Sequence, residues 1–111
     1  MPLERRASAR ILYPPDGRPT FELDGVRHAV VDCSEHGIRI ALAEGDAPRL
    51  GDDVEGIVRF RSGAELKVEA TVVRIKGGEV ALRLASRLPF AAVVAERRYL
   101  RAHFPEWGRE E

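Results

Sequence analysis

The chain has 111 residues and a mass of 12.3 kDa, room for one small domain. Lys+Arg and Asp+Glu both total 18, so the formal net charge is zero, which excludes bulk attraction to duplex DNA or to an anionic membrane and leaves anion binding to local clusters. A 44% hydrophobic, 32% charged composition excludes a disordered chain, the single cysteine, Cys33, excludes an internal disulfide or a multi-cysteine zinc site, and no apolar run approaches the roughly 20 residues of a membrane span.

In chain order, residues 1–12 precede any strand signal and read as an arm; no apolar h-region of a secretory signal follows Met1. Strand signals then begin at 21–23 and 26–33 and continue as period-two alternation. Ile38, Ile40 and Leu42 form one run, and Val54, Val58 and Phe60 another. Leu66, Val68, Ala70 and Val72 form a third, and Val80, Leu82 and Leu84 a fourth. Each reads as a strand with one face in a core and one face wet. Asp24-Gly25, Ser62-Gly63 and Gly77-Gly78 fall between runs and predict tight hairpins. The apolar parity slips by one over residues 72–75, which predicts a β-bulge.

Segment 89–104 is alanine-rich and lacks glycine, and it predicts a helix opened by Pro89 and stopped by Pro105. Its expected core-facing stripe is Phe90, Val93, Val94 and Leu100, with Glu96, Arg97, Arg98 and Arg101 outside. Six strands in a meander followed by one helix predict an all-β domain with a C-terminal helix: a six-stranded antiparallel β-barrel capped by that helix, its closure removing exposed sheet edges. The expected boundaries are an arm at 1–12, the barrel at 13–88, the helix at 89–105 and a frayed tail at 106–111.

Two short motifs carry candidate chemistry. The arm holds Glu4-Arg5-Arg6-Ala7-Ser8-Ala9-Arg10, an R-x-x-x-R with a further arginine in front. A guanidinium binds phosphate or the O6/N7 edge of guanine through paired hydrogen bonds and stacks on bases, so two arginines four apart can grip a compact dianion; alone, the motif reads first as a solvated basic terminus. Asp32-Cys33-Ser34-Glu35-His36-Gly37 is D-x-S-x-x-G. It places a strand-ending carboxylate before a turn in which the Ser34 hydroxyl bonds backbone amides. Gly37 there permits a positive φ. Alone, this too reads as an ordinary polar turn. In a ligand site the carboxylate would accept from guanine N1–H and the exocyclic amine, and the serine would bond a phosphate or sugar oxygen.

Together, R-x-x-x-R, then D-x-S-x-x-G roughly twenty residues later between two strands, then a β-meander and a terminal helix, resemble the PilZ domain family over nearly the whole chain, from Glu4 to about Phe104. The resemblance is strongest at Arg6, Arg10, Asp32, Ser34 and Gly37. It implies a split-barrel type of six-stranded barrel and a bacterial, cytoplasmic receptor for the second messenger cyclic di-GMP. Carried over, Arg6 and Arg10 hold phosphates and guanine edges, Asp32 and Ser34 bond a guanine and the adjoining ligand backbone, and Gly37 lets the turn approach closely. Arg5 either stacks on a second guanine of a self-stacked ligand pair or solvates the arm. The third wall of the site is not assigned by these motifs. The implied mechanism is gripping rather than catalysis, with the ligand ordering the arm and a downstream protein reading the result; beyond the ligand, no cofactor is implied. The alternative within the same fold is an interaction adaptor that binds no nucleotide.

Other chemistry is poorly supplied. Asp32, Ser34 and His36 lack the nucleophile elbow and oxyanion donors of a hydrolase. His28, His36 and His103 are scattered without a metal-ligand spacing. A single-stranded DNA or RNA barrel is disfavoured by zero net charge and by strands with almost no exposed aromatics. His28 is expected on a wet strand face, and Cys33 inside the barrel as a small apolar residue. Trp107 either packs back on the barrel or marks a contact surface.

Overall fold

The computed structural model describes residues 10–43 and 47–107. Seven strands and one helix follow in order: β1 Ile11–Leu12, β2 Thr20–Leu23, β3 Val26–Cys33, β4 Gly37–Ala41, β5 Asp53–Arg59, β6 Glu65–Lys76, β7 Glu79–Leu84 and α1 Phe90–His103. A short 3-10 turn, Pro15–Gly17, separates β1 from β2. Six of the strands form a closed antiparallel ring in the order β3-β2-β5-β6-β7-β4, with β4 pairing back onto β3. This is the predicted barrel; β1 is an addition, lying against β3 beyond the end of β2 through Ile11↔Cys33 and Leu12↔Asp32. Ile11–Leu12 therefore carry strand structure at positions that the sequence reading left in the arm.

Two hairpins owe their tightness to left-handed residues. Asp24 and Gly25 have φ of 52° and 82° between the paired residues Leu23 and Val26. Gly77 and Gly78, at 58° and 81°, do the same between Lys76 and Glu79. Positive φ at both central positions is what a two-residue turn needs to match strand twist. The third hairpin is wider, closed by Phe60 N–H to the Ala64 carbonyl at 2.8 Å.

The interior is filled from the alternating faces: Phe21, Val30, Ile38, Ile40, Val58, Val72, Val80 and Leu82 are buried, and Cys33 is among them as expected. Gly56 on β5 makes room for Phe21. A Cβ there would stand 2.4 Å from the Phe21 ring and 2.7 Å from the Glu22 carbonyl. The barrel mouth is closed by α1, whose Leu100 is fully buried and whose last turn is followed by the Phe104 N–H bond to the Leu100 carbonyl at 2.8 Å.

Three expectations for side chains are corrected. Phe90, placed in the core-facing stripe, is 73% exposed, whereas Glu96, placed outside, is fully buried. Periodicity orders the helix faces but does not know what lies opposite. Opposite Glu96 stand two donors: the Tyr13 hydroxyl, 2.7 Å from Oε1, and the Ser62 backbone N–H, 2.7 Å from Oε2. Hydrogen bonding is what makes a buried carboxylate tolerable. Likewise His28 is buried rather than wet, and its Nδ1 accepts the Ala43 backbone N–H at 2.9 Å.

Candidate functional site

The site begins with a bulge. Strict alternation along β3 would turn Asp32 inward with His28 and Val30. The β3–β4 register runs Val30↔Ile40 and then Asp32↔Arg39, so Val31 is an extra residue. One inserted residue switches the facing of everything after it. Cys33 consequently joins Val30 in the core, and Asp32 turns to the outer face of the barrel. β6 repeats the device: Val72 pairs with Leu82 and Arg74 with Ala81, leaving Val73 unpaired. This is the bulge that the parity slip predicts, and it brings Arg74 and Lys76 to the same outer face.

Between the two bulges lies an open cleft of about 600 Å³, lined by Arg10, Asp32, Arg39, Arg74, Lys76 and Glu79, with Leu12, Gly77 and Ala81. Four cations against two carboxylates make it locally positive in a chain of zero net charge. Asp32 is the floor. Its residue is 0% exposed, yet it keeps its charge satisfied: Arg10 Nη1 donates to Oδ1 at 2.8 Å and Arg39 Nη2 donates to Oδ2. Arg39 reaches Glu79 as well, at 3.6 Å. The Arg10 side chain is 56% exposed, so one side of its guanidinium remains open to the cleft.

Ser34 and Gly37 sit next door, not in the main cleft. They line a recess of about 220 Å³ with His36, Val73 and Arg83, and Arg10 and Ala81 border both spaces. The Ser34 N–H bonds the Gly37 carbonyl at 2.8 Å, and the His36 N–H reaches Ser34 Oγ at 3.4 Å, which is the turn chemistry read from the sequence. Gly37 is not there for a positive φ, since its backbone stays outside the left-handed region. Its reason is proximity: a Cβ would lie 3.2 Å from the Leu82 carbonyl.

The structure thus joins Arg10 to Asp32, 22 residues apart, and sets Ser34 and Gly37 beside them. Arg5 and Arg6 lie outside the described residues. The sequence reading did not single out Arg39, Arg74 and Lys76, which line the same cleft as Arg10 and Asp32. Arg39 had a legible signal, since in a hairpin whose loop is residues 34–37 it falls opposite Asp32. Arg74 had one too, because the slip at 72–75 reverses its facing.

Beneath the site, Tyr13 and Cys33 lie 3.6 Å apart at Oη and Sγ. Burial pushes the Tyr13 phenol well above its ordinary value, with the neighbouring Cys33 and Glu96 adding to it. Burial likewise raises the Cys33 thiol to about 11, with Glu96 and Asp32 adding to the rise while the Tyr13 hydrogen bond and Arg97 oppose it. Cys33 is a packed, protonated thiol at neutral pH rather than a nucleophile. Among the described residues no group of His, Cys, Asp and Glu is placed to hold a metal ion, and no helix is long and apolar enough to cross a membrane.

No curated protein matches the sequence significantly. Among solved structures, the chain is similar to the Bacillus subtilis inhibitor of motility (MotI/DgrA), with a TM-score of 0.65 and 16% identity over 89% of this chain. The match covers 51% of that protein, so the chain spans about half its length, and at that identity the likeness is one of fold. The PilZ domain family model matches residues 4–102. That span takes in both arginines of the R-x-x-x-R motif, the D-x-S-x-x-G turn, every strand of the barrel and nearly all of α1, and the chain therefore belongs to the PilZ domain family, a family of regulatory and binding modules.

Proposed function

We propose that the chain is a cytoplasmic bacterial receptor for cyclic di-GMP that binds the dinucleotide in the cleft over Asp32, performs no catalysis and passes the ligand state to a partner protein. The observation that carries this reading is the meeting of Arg10 with Asp32 in an open, locally positive cleft. Family membership supports it, because PilZ domains are in general cyclic di-GMP receptors.

The proposed step is an exchange of partners. The two oxygens of Asp32 are taken by Arg10 and Arg39. A guanine presents N1–H and its exocyclic amine as a pair of neutral donors, so it can keep both carboxylate oxygens hydrogen-bonded while the guanidiniums stay close by as countercharge. The released arginines turn to what the ligand brings, namely phosphate oxygens and the O6/N7 edge; each bidentate contact to guanine contributes roughly 1–3 kcal/mol. Arg74 and Lys76 extend the positive wall toward the second phosphate. Ser34 bonds the ligand backbone from the adjoining recess, and Arg5 and Arg6, outside the described residues, complete the set of ligand-binding arginines in this reading.

Calorimetric titration tests the reading. Micromolar or tighter binding of cyclic di-GMP, selective over GTP and cyclic di-AMP and abolished in Arg10→Ala, is the expected result. A folded sample that takes up no dinucleotide overturns it in favour of the nucleotide-free adaptor. The stoichiometry separates a single ligand from a self-stacked pair, in which Arg5 would stack on a second guanine.

A further inference from the structure

Arg10 directly precedes β1, which lines the cleft with Leu12 and is two residues long. A strand this short, paired on one edge to β3 through Ile11↔Cys33 and Leu12↔Asp32, is not held by its ladder alone. Two further ties come from the C-terminal end of the chain. Trp107 Nε1–H donates to the Leu12 carbonyl at 2.7 Å. The Tyr13 hydroxyl donates to Glu96 Oε1 at 2.7 Å, and Glu96 Oε2 accepts the Ser62 N–H at 2.7 Å. Leu12 itself is 54% exposed and lines the cleft with its side chain while Trp107 holds its carbonyl.

We propose that Trp107 and Glu96 are positioning residues for the nucleotide cleft: by fixing the backbone at Leu12 and the ring at Tyr13, they set where Arg10 stands relative to Asp32. The inference rests on the reading of the cleft given above. A fully buried carboxylate is a costly way to dock a helix, and an apolar side chain would cover the barrel mouth more cheaply. What the carboxylate adds is registration, because its two oxygens are satisfied only when Tyr13 and Ser62 are both in place. The Tyr13 hydroxyl also meets Cys33, the neighbour of Asp32, so both motifs of the cleft adjoin the same tie. Positioning of this kind is reciprocal: a ligand that draws on Arg10 or presses on Leu12 must also change how Trp107 and α1 are held. The segment from α1 to Trp107 is accordingly the part of the domain through which a partner senses the ligand.

The test uses the full chain and its single tryptophan. Trp107→Phe keeps a ring but loses the N–H donor, and Glu96→Gln keeps the shape but leaves one acceptor oxygen for two donors. Cyclic di-GMP affinity should fall by about 5- to 30-fold in each variant, with Trp107→Phe unfolding near the wild-type midpoint. A second arm needs no ligand. In wild type and in Arg10→Ala, acrylamide quenching of Trp107 is compared; unhooking Arg10 from Asp32 should make the indole more accessible. Unchanged affinity in both variants, or identical quenching in wild type and Arg10→Ala, overturns the proposal. If wild type binds no dinucleotide, the receptor reading fails while the quenching comparison still decides the linkage.

Discussion

At the scale of single residues, Asp32 and His28 are polar groups that β3 keeps out of water, and each is tolerable for a different reason. Asp32 is ionic and leans on Arg10 and Arg39 together. Arg39→Ala leaves half of that buried carboxylate unpaired, so denaturant unfolding should show a loss of about 1–3 kcal/mol, with weaker dinucleotide binding in the same variant. His28 is neutral: burial lowers its pKa from 6.5, and its Nδ1 needs to stay unprotonated to accept the Ala43 N–H. A histidine depressed in the fold contributes stability that is complete above the unfolded value of 6.5 and is lost as pH falls below it toward the lowered folded value. Chemical unfolding of wild type should therefore weaken between pH 7 and about 5.5, and His28→Asn, whose side-chain oxygen can still accept, should lose most of that dependence. The sequence told neither story. The sequence reading set His28 on a wet face, whereas it shares the inner face of β3 with Val30, ahead of the bulge.

At the scale of elements, alternation was informative wherever a strand was regular, and it misled at one place where a strand was not. The β6 bulge showed itself because apolar residues crowd together at Val72, Val73 and Ile75. The β3 bulge at Val31 carries a similar trace, with Val30 and Val31 side by side before Asp32 and Cys33, but the sequence reading drew no bulge from it. Its effect is decisive all the same, because it puts Asp32 outside and Cys33 inside. The helix teaches the same lesson: Glu96 is internal because two donors await it, and Phe90 is external because nothing does. Close packing between strands gives the element-scale prediction. Gly56→Ala drives a methyl into the Phe21 ring and the Glu22 carbonyl, so it should cost about 1–3 kcal/mol in denaturant unfolding or prevent folding. Gly63→Ala, where a Cβ meets nothing within 4 Å and only the φ of 107° objects, separates packing from backbone strain.

At the scale of the whole molecule, a neutral chain gathers four of its cations on one outer face of a closed barrel. Binding of a doubly charged dinucleotide there should weaken as sodium chloride rises from about 50 to about 300 mM, where the screening length shrinks to several ångströms; calorimetry at three salt concentrations checks it, and a flat response would count against contact with phosphate. By itself the sequence determined the six strands of the ring, the hairpin turns, the terminal helix and the two motifs, because period, turn residues and short spacings are local and are written in consecutive positions. Tertiary structure decided the rest. Arg10 meets Asp32, Arg39 joins them and Arg74 completes the wall only once the ring of strands closes. Glu96 finds Tyr13 across 83 positions, and Trp107 finds Leu12 across 95. The physical reason is that a side chain's burial and charge partners depend on what the fold brings opposite it, and register, bulge and closure fix that only when the whole barrel has formed.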